Sequence, residues 1–198
     1  DAFNTPVDVV AADVDADGDL DLVGADSVDG DIALWENLSI HRSAIFPAST
    51  TVASGFENPK DTTIGDIDGD GDPDVVGLAD ATLSWFENDG AAGTWAPHVV
   101  ASGLESPGGL VVADLDRDGD VDIAADINSS SVDPVWWQND GGGATWTQRP
   151  LTGSSLQSLR TADFDRDGDV DLLGAGGYVT ILDNRFGEGL GLDFVVSR

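Results

Sequence analysis

Four nine-residue segments with one pattern, Asp-x-Asp-x-Asp-Gly-Asp-x-Asp, constrain this chain more than any other feature. They run from Asp13 to Asp21, Asp66 to Asp74, Asp114 to Asp122 and Asp163 to Asp171, with starts 53, 48 and 49 residues apart. A period near 50 residues marks a repeat architecture, in which one supersecondary unit recurs and each copy covers its neighbour's apolar face. The likeness extends beyond the acidic segments. Each is preceded by a short apolar or β-branched run (Val7 to Ala12, Thr62 to Gly65, Leu110 to Ala113, Leu159 to Ala162) and followed by another (Leu20 to Ala25, Val75 to Ala79, Val121 to Ala125, Val170 to Ala175).

A third strand-like piece ends each unit's apolar part in an acidic or amide pair. Its copies are Leu34-Trp35-Glu36-Asn37, Trp85-Phe86-Glu87-Asn88, Trp136-Trp137-Gln138-Asn139 and Ile181-Leu182-Asp183-Asn184. A fourth piece closes the unit, at Ile45 to Val52, Thr94 to Val100, Thr145 to Leu151 and Leu192 to Val196. Four short β segments per unit, joined by Gly- and Asp-rich turns, predict an all-β fold: a β-propeller of four four-stranded antiparallel blades. The 25 glycines and the absence of a helical apolar period argue against long helices. The expected domain is one propeller-type unit over 1–198, with blades at 6–56, 57–104, 105–153 and 154–198. The first two strands of each blade are expected near the central axis, covered on both faces.

The chain is expected to start just before a first strand and to end just after a fourth, and so to hold whole units. Three assemblies stay open: a closed ring of four blades, a part of a ring of seven or so, or self-association that completes one larger ring.

The acidic segments are built for a hard cation. Side chains at positions one, three and five (Asp13, Asp15, Asp17; Asp66, Asp68, Asp70; Asp114, Asp116, Asp118; Asp163, Asp165, Asp167) converge when the backbone wraps tightly around a point. The glycine at position six allows that turn. Position seven (Asp19, Asp72, Asp120, Asp169) offers a backbone carbonyl, and position nine (Asp21, Asp74, Asp122, Asp171) a further carboxylate. Such an all-oxygen set suits Ca2+, one ion per repeat and four in all; the loops lack the nitrogen or sulfur that transition metals prefer. An EF-hand would also need Glu at position twelve and flanking helices. Position twelve is Gly24, Gly77, Ala125 and Gly174, and the flanks read as strands. What remains is a calcium loop between the first two strands of a blade, with a structural ion.

Bulk composition narrows the function. With 38 acidic residues against 8 Lys and Arg, the formal net charge is -30. That field repels nucleic acid and anionic lipid, so neither is expected as a partner. There is no Cys, hence no disulfide and no thiolate nucleophile. No run approaches the roughly 18 apolar residues that span a bilayer, and no secretory leader is visible at the start. Loops that need roughly millimolar calcium suit an extracellular or cell-surface setting.

A catalytic site is not expected. Tyr178, Lys60, His41 and His98 are scattered, the two histidines read as surface or edge residues, and Glu36 and Glu87 read as turn-holding groups. Trp35, Trp85 and Trp137 read as sharing one strand position and Trp95 and Trp146 another, which suggests wedges between blades. Trp136, as the extra member of its pair, is the candidate stacking platform for a sugar ring, with Asn139 and Asp140 beside it to meet hydroxyls.

These segments resemble the calcium-binding blades of the FG-GAP and VCBS repeat superfamily, found in integrin α-subunit propellers, fungal lectins and bacterial surface or secreted proteins. The Asp-x-Asp-x-Asp-Gly-x-x-Asp loop with its apolar strand matches in all four units. Trp85-Phe86-Glu87-Asn88-Asp89-Gly90 looks more like the VCBS and secreted-lectin type. In place of the integrin Gly-Ala-Pro landmark stand Val23-Gly24-Ala25 and Leu173-Gly174-Ala175. The resemblance implies a propeller with calcium held through the same loop positions. The expected function is a calcium-stabilised, non-catalytic module recognising glycans or extracellular proteins. The alternatives are a structural scaffold, or an accessory part of a polysaccharide-degrading enzyme.

Overall fold

The computed structural model describes residues 5–38, 44–46, 48–90, 94–127, 134–151, 156, 158–175, 179–185 and, for the backbone, 195–197. His41 and Tyr178 lie outside them. The described residues form sixteen strands and no helix. The first sheet holds β1 (Pro6–Ala12), β2 (Asp21–Asp26), β3 (Asp31–Trp35) and β4 (Ser49–Ala53). In the second are β5 (Pro59–Gly65), β6 (Asp74–Ala79), β7 (Thr82–Asn88) and β8 (Trp95–Ser102). The third comprises β9 (Pro107–Ala113), β10 (Asp122–Ile127), β11 (Val135–Asn139) and β12 (Trp146–Pro150). The fourth comprises β13 (Ser158–Ala162), β14 (Asp171–Ala175), β15 (Val179–Asp183) and β16 (Val195–Ser197).

Each sheet is a four-stranded antiparallel meander in chain order. Each acidic segment is the turn between a sheet's first two strands, so each repeat forms one sheet. The second strands are buried along their length in β6 and β10, because both faces of the strand are covered. Their Val, Leu, Ile and Ala residues supply the continuous apolar run that such a position requires.

The chain groups into two compact units, Asp1–Asp66 with Asp70–Gly103, and Ile67–Gly69 with Leu104–Arg198. In the first unit, β1 and β2 pack on β5. Val14, Val23, Leu34 and Ile32 of the first sheet meet Val75 and Phe86 of the second in one core cluster, with Phe56 edge-on to Phe86 at 5.7 Å between centroids. Gly77 permits this approach: a Cβ there would lie 2.8 Å from Ile32 Cδ1. In the second unit, β9 and β10 pack on β13. Val111, Leu115, Ala124 and Trp136 of the third sheet meet Leu159, Leu172 and Leu182 of the fourth.

Two expectations need correction here. Strand pairing sets Trp35 opposite Leu22, Phe86 opposite Val75 and Trp137 opposite Ile123, whereas Trp85 faces Val76 and Trp136 faces Ala124. Trp85 therefore shares its position with Trp136, not with Trp35 and Trp137. A one-residue offset turns a side chain to the opposite face of the sheet. β1 also departs from full coverage, with Val7 45% and Val9 63% exposed.

Candidate metal centres

The four loops share one internal hydrogen-bond pattern. The amide of the position-six glycine donates to the position-one carboxylate, at 3.1 Å in Gly18–Asp13 and Gly71–Asp66 and 3.2 Å in Gly119–Asp114 and Gly168–Asp163. The amide of position seven donates to the position-five carboxylate at 2.9–3.0 Å in all four copies. These bonds close the backbone around the carboxylates. The turn needs left-handed backbone twice. Position six is always Gly, at φ 92 to 101°. Position four is also left-handed, in Ala16, Gly69, Arg117 and Arg166 at φ 59 to 80°. For Ala and Arg that conformation costs about 1 kcal/mol, which the wrapped loop must offset.

Carboxylate oxygens within 4.8 Å of one another gather in each loop: Asp13, Asp15 and Asp17; Asp66, Asp68 and Asp70; Asp114, Asp116 and Asp122; Asp163, Asp165 and Asp171. Positions one and three thus belong to every cluster. Position five completes the first two and position nine the last two. Asp19, Asp72, Asp120 and Asp169 lie outside the clusters by their side chains. Asp169 meets Arg117 of the preceding loop at 2.6 Å.

The residues fit a metal ion. Oδ1 of Asp13 and of Asp114 are buried with no hydrogen-bond donor, and a buried carboxylate oxygen without a partner is costly unless a cation meets it. The electrostatics agree. Burial first, then the neighbouring carboxylates, raise Asp19 above the ordinary carboxylate range, and burial followed by Asp118 raises Asp116. Asp122 is pushed up to about 7, mainly by burial, although the amides of Asn139 and Leu115 pull it down. Like charges held this close favour protonation or a bound cation.

The position-nine aspartate has a second task. Its two oxygens accept amides from different parts of the blade: Asp21 from Val14 at 2.9 Å and Asn37 at 2.8 Å, Asp122 from Leu115 and Asn139, Asp171 from Phe164 and Asn184. The carboxylate therefore ties the loop to the end of the third strand. The asparagine there completes the tie. Asn88 Nδ2 donates to the carbonyls of Pro73, in its own loop, and Val14, in the loop of the preceding sheet, both at 3.1 Å. Asn184 does the same with Val170 and Leu115, and Asn139 with Val121 and Ile67. An Asn at the same place in all four units was the signal for this role.

The sugar platform does not survive. Trp136 is 1% exposed, packed among Leu151, Leu156 and Leu159 with the Arg149 guanidinium 5.8 Å from its ring centre. Asn139 is buried, and its side chain serves the two carbonyls and the amides of Gly141 and Gly143. Of the trio only Asp140 is exposed, accepting from the Thr147 hydroxyl at 2.9 Å. His98 is half-exposed on β8, stacked on Trp85 at 4.3 Å with Nε2 2.8 Å from Glu87. Lys60 pairs with Asp80 at 3.0 Å.

The model of the FG-GAP-like repeat matches this chain over residues 13–77 and 66–125. No curated protein sequence matches it. Among solved structures it is similar to a lectin of Agrocybe aegerita with specific recognition of non-reducing terminal N-acetylglucosamine, at 19% identity and a TM-score of 0.64. That likeness covers 96% of this chain and 51% of the lectin. It is also similar to the Vibrio cholerae biofilm matrix protein Bap1, at 19% identity and a TM-score of 0.52, covering 97% of this chain and 27% of Bap1. The chain thus spans about half the length of the lectin and about a quarter of the matrix protein.

Proposed function

The chain belongs to the FG-GAP-like repeat family, and from that premise we propose that it is a calcium-stabilised, non-catalytic β-propeller module serving extracellular recognition or scaffolding. One observation carries the reading: the same wrapped loop occurs four times, each gathering three carboxylates from one turn. An all-oxygen, multiply charged cradle on a flexible turn favours calcium over magnesium, which demands stricter geometry. Asp13, Asp15, Asp17 and Asp21, with the carbonyl of Asp19, would hold the first ion. The matching residues would hold the other three: Asp66 to Asp74, Asp114 to Asp122 and Asp163 to Asp171 at the same five positions. When bound, the ion offsets the clustered charge and fixes the turn. The chain's own part is to present the oxygens and to couple each turn to the third strand through the position-nine Asp and its Asn.

The non-catalytic reading rests on where the titratable groups lie. The clustered acids are committed to the loops, and His98 sits on an outer strand against Trp85 and Glu87. The chain's likeness to a lectin and a biofilm matrix protein supports glycans or extracellular proteins as partners. The burial of Trp136 and Asn139 favours the scaffold alternative, since it removes the sugar contact that the sequence suggested.

Calorimetric titration of the metal-free protein tests the metal reading, with four calcium ions per chain as the expected result. A flat titration with folded protein would sink it. A glycan array then separates recognition from scaffolding, saturable binding to a sugar class supporting the first and a blank array the second.

A further inference from the structure

Each compact unit has a cleft between the loops of its paired sheets, and the two units fill it differently. In the second unit, Arg117 at loop position four crosses to the next loop, where its Nε meets the Asp169 carboxylate at 2.6 Å. The guanidinium also fills the space over Gly168, because a Cβ there would lie 2.8 Å from Arg117 Nη2. Gln138, near the end of the third strand, donates to the Asp116 carboxylate at 2.5 Å. Asp116 and Asp169 are 4% and 1% exposed. Here the chain's own cation closes the cleft.

In the first unit Ala16 stands at the place of Arg117. A Cβ added to Gly71, the counterpart of Gly168, would meet nothing within 4 Å. A cavity of about 140 Å³ opens between the first and second sheets, lined by Asp15, Glu36 and Asp72 together with Val14, Leu34 and Trp95. The three acids occupy the positions of Asp116, Gln138 and Asp169, so a third carboxylate replaces the amide of the filled cleft. Asp15 is exposed, and Glu36 and Asp72 are half-buried. None of the three has an ion-pair partner among the described residues.

Ionised carboxylates only accept hydrogen bonds, so this cleft calls for a donor that carries positive charge. Its volume far exceeds the roughly 10–15 Å³ that one water needs. A guanidinium suits it better than an ammonium. Its planar fork can bridge several carboxylates, and its face can lie against an aromatic wall such as Trp95.

We propose that the cleft of Asp15, Glu36, Asp72 and Trp95 binds a guanidinium group supplied from outside the chain, in the place that Arg117 takes in the second unit. The proposal does not rest on the calcium reading. Glu36 lies outside the loops, and the Asp72 side chain lies outside the carboxylate clusters, so filled loops and a filled cleft are compatible.

Titration of methylguanidinium into the folded full chain in saturating calcium, followed by amide chemical shifts, tests it. One saturable site is expected, with the largest shifts at Gly71, Gly90 and Trp95 and weaker binding of methylammonium. Glu36→Gln and Asp72→Asn are each expected to weaken binding about tenfold. Ala16→Arg introduces a side chain that the same left-handed position already carries in Arg117 and Arg166. This variant is expected to fill the cleft from within and to abolish methylguanidinium binding, with its calcium count unchanged. Arg117→Ala keeps the test open should Ala16→Arg fold poorly. It is expected to melt lower than the wild type, to recover part of that loss in millimolar methylguanidinium but not in methylammonium, and to bind two equivalents. Blocked arginine amide binding more tightly than free arginine, whose carboxylate the acids repel, would assign the occupant to a protein segment. The opposite order would assign it to a free small molecule, and either order supports the site. No saturable site in the wild type, undiminished binding in Ala16→Arg, or a fifth calcium ion that this variant expels would overturn the proposal. Calcium count and guanidinium shifts are separate measurements, so either reading can fail alone.

Discussion

At the scale of single residues, the same residue type is put to opposite uses by the number of amides that reach it. Asp26 and Asp126 both lie near the end of a second strand, and both are buried. Asp26 accepts the amides of Thr5, Val28 and Asp29 and the Thr5 hydroxyl, and the Thr5 amide foremost holds it well below the usual range. Among the described residues Asp126 accepts only the amide of Leu156, its Oδ2 is buried with no donor among them, and burial pushes it up to about 6. An unfolded aspartate titrates near 3.9. Between about pH 4 and 6 the folded chain therefore holds a proton that the unfolded chain has released, and stability contributed here falls as pH rises through that window. Asp126→Asn keeps the acceptor for Leu156 and removes the charge. Urea denaturation in saturating calcium should find it more stable than the wild type by about 1–3 kcal/mol at pH 7.5, the gap narrowing toward pH 4.5. A gap that does not change with pH would refute this assignment. Sequence could not have separated the two aspartates, because the donors to Asp26 come from residues on either side of its strand and the donor to Asp126 from thirty positions away.

At the scale of strands and loops, legibility follows from what local chemistry dictates. The wrapped turn was readable because Gly at position six and alternating Asp suit few backbone conformations besides this one, and the meander because each turn separates two short apolar runs. The second left-handed residue was not, since Ala16, Arg117 and Arg166 give no sign of it and the hydrogen bonds of the loop impose it. The third strand shows the other limit. Its period of two tells that Trp136 and Trp137 point to opposite faces, but not which face meets another sheet. Both are covered, Trp136 by the core that includes the fourth sheet, so an apparent extra tryptophan is a packing residue. Trp136→Ala should then cost about 3–5 kcal/mol of stability, read by urea denaturation, and should act on sugar binding only through unfolding. A folded variant of wild-type stability would contradict this placement.

At the scale of the whole chain, the balance of charge sets what a bound ion would contribute to folding. A net charge of -30 on 198 residues opposes compaction, and the loops gather part of that charge where it repels most. Native domains hold only about 5–15 kcal/mol in reserve. An ion present at a hundredfold its dissociation constant adds about 2.7 kcal/mol per site, so four such sites together are comparable to the entire reserve. Chelation is therefore expected to lower the melting temperature by more than about 15 °C, and a small residual shift would mean that the loops hold their shape without metal. Asp118→Ala sharpens the point. It removes the position-five acceptor for the Asp120 amide as well as a ligand candidate, so both the turn and the ion lose a support. Titration of this variant should count three ions in place of four. Its melting temperature in calcium should fall by a few degrees, and the difference from the wild type should shrink once a chelator has emptied every loop. A variant that still takes four ions, or that loses as much stability in chelator as in calcium, would show that this aspartate serves the turn and not the metal.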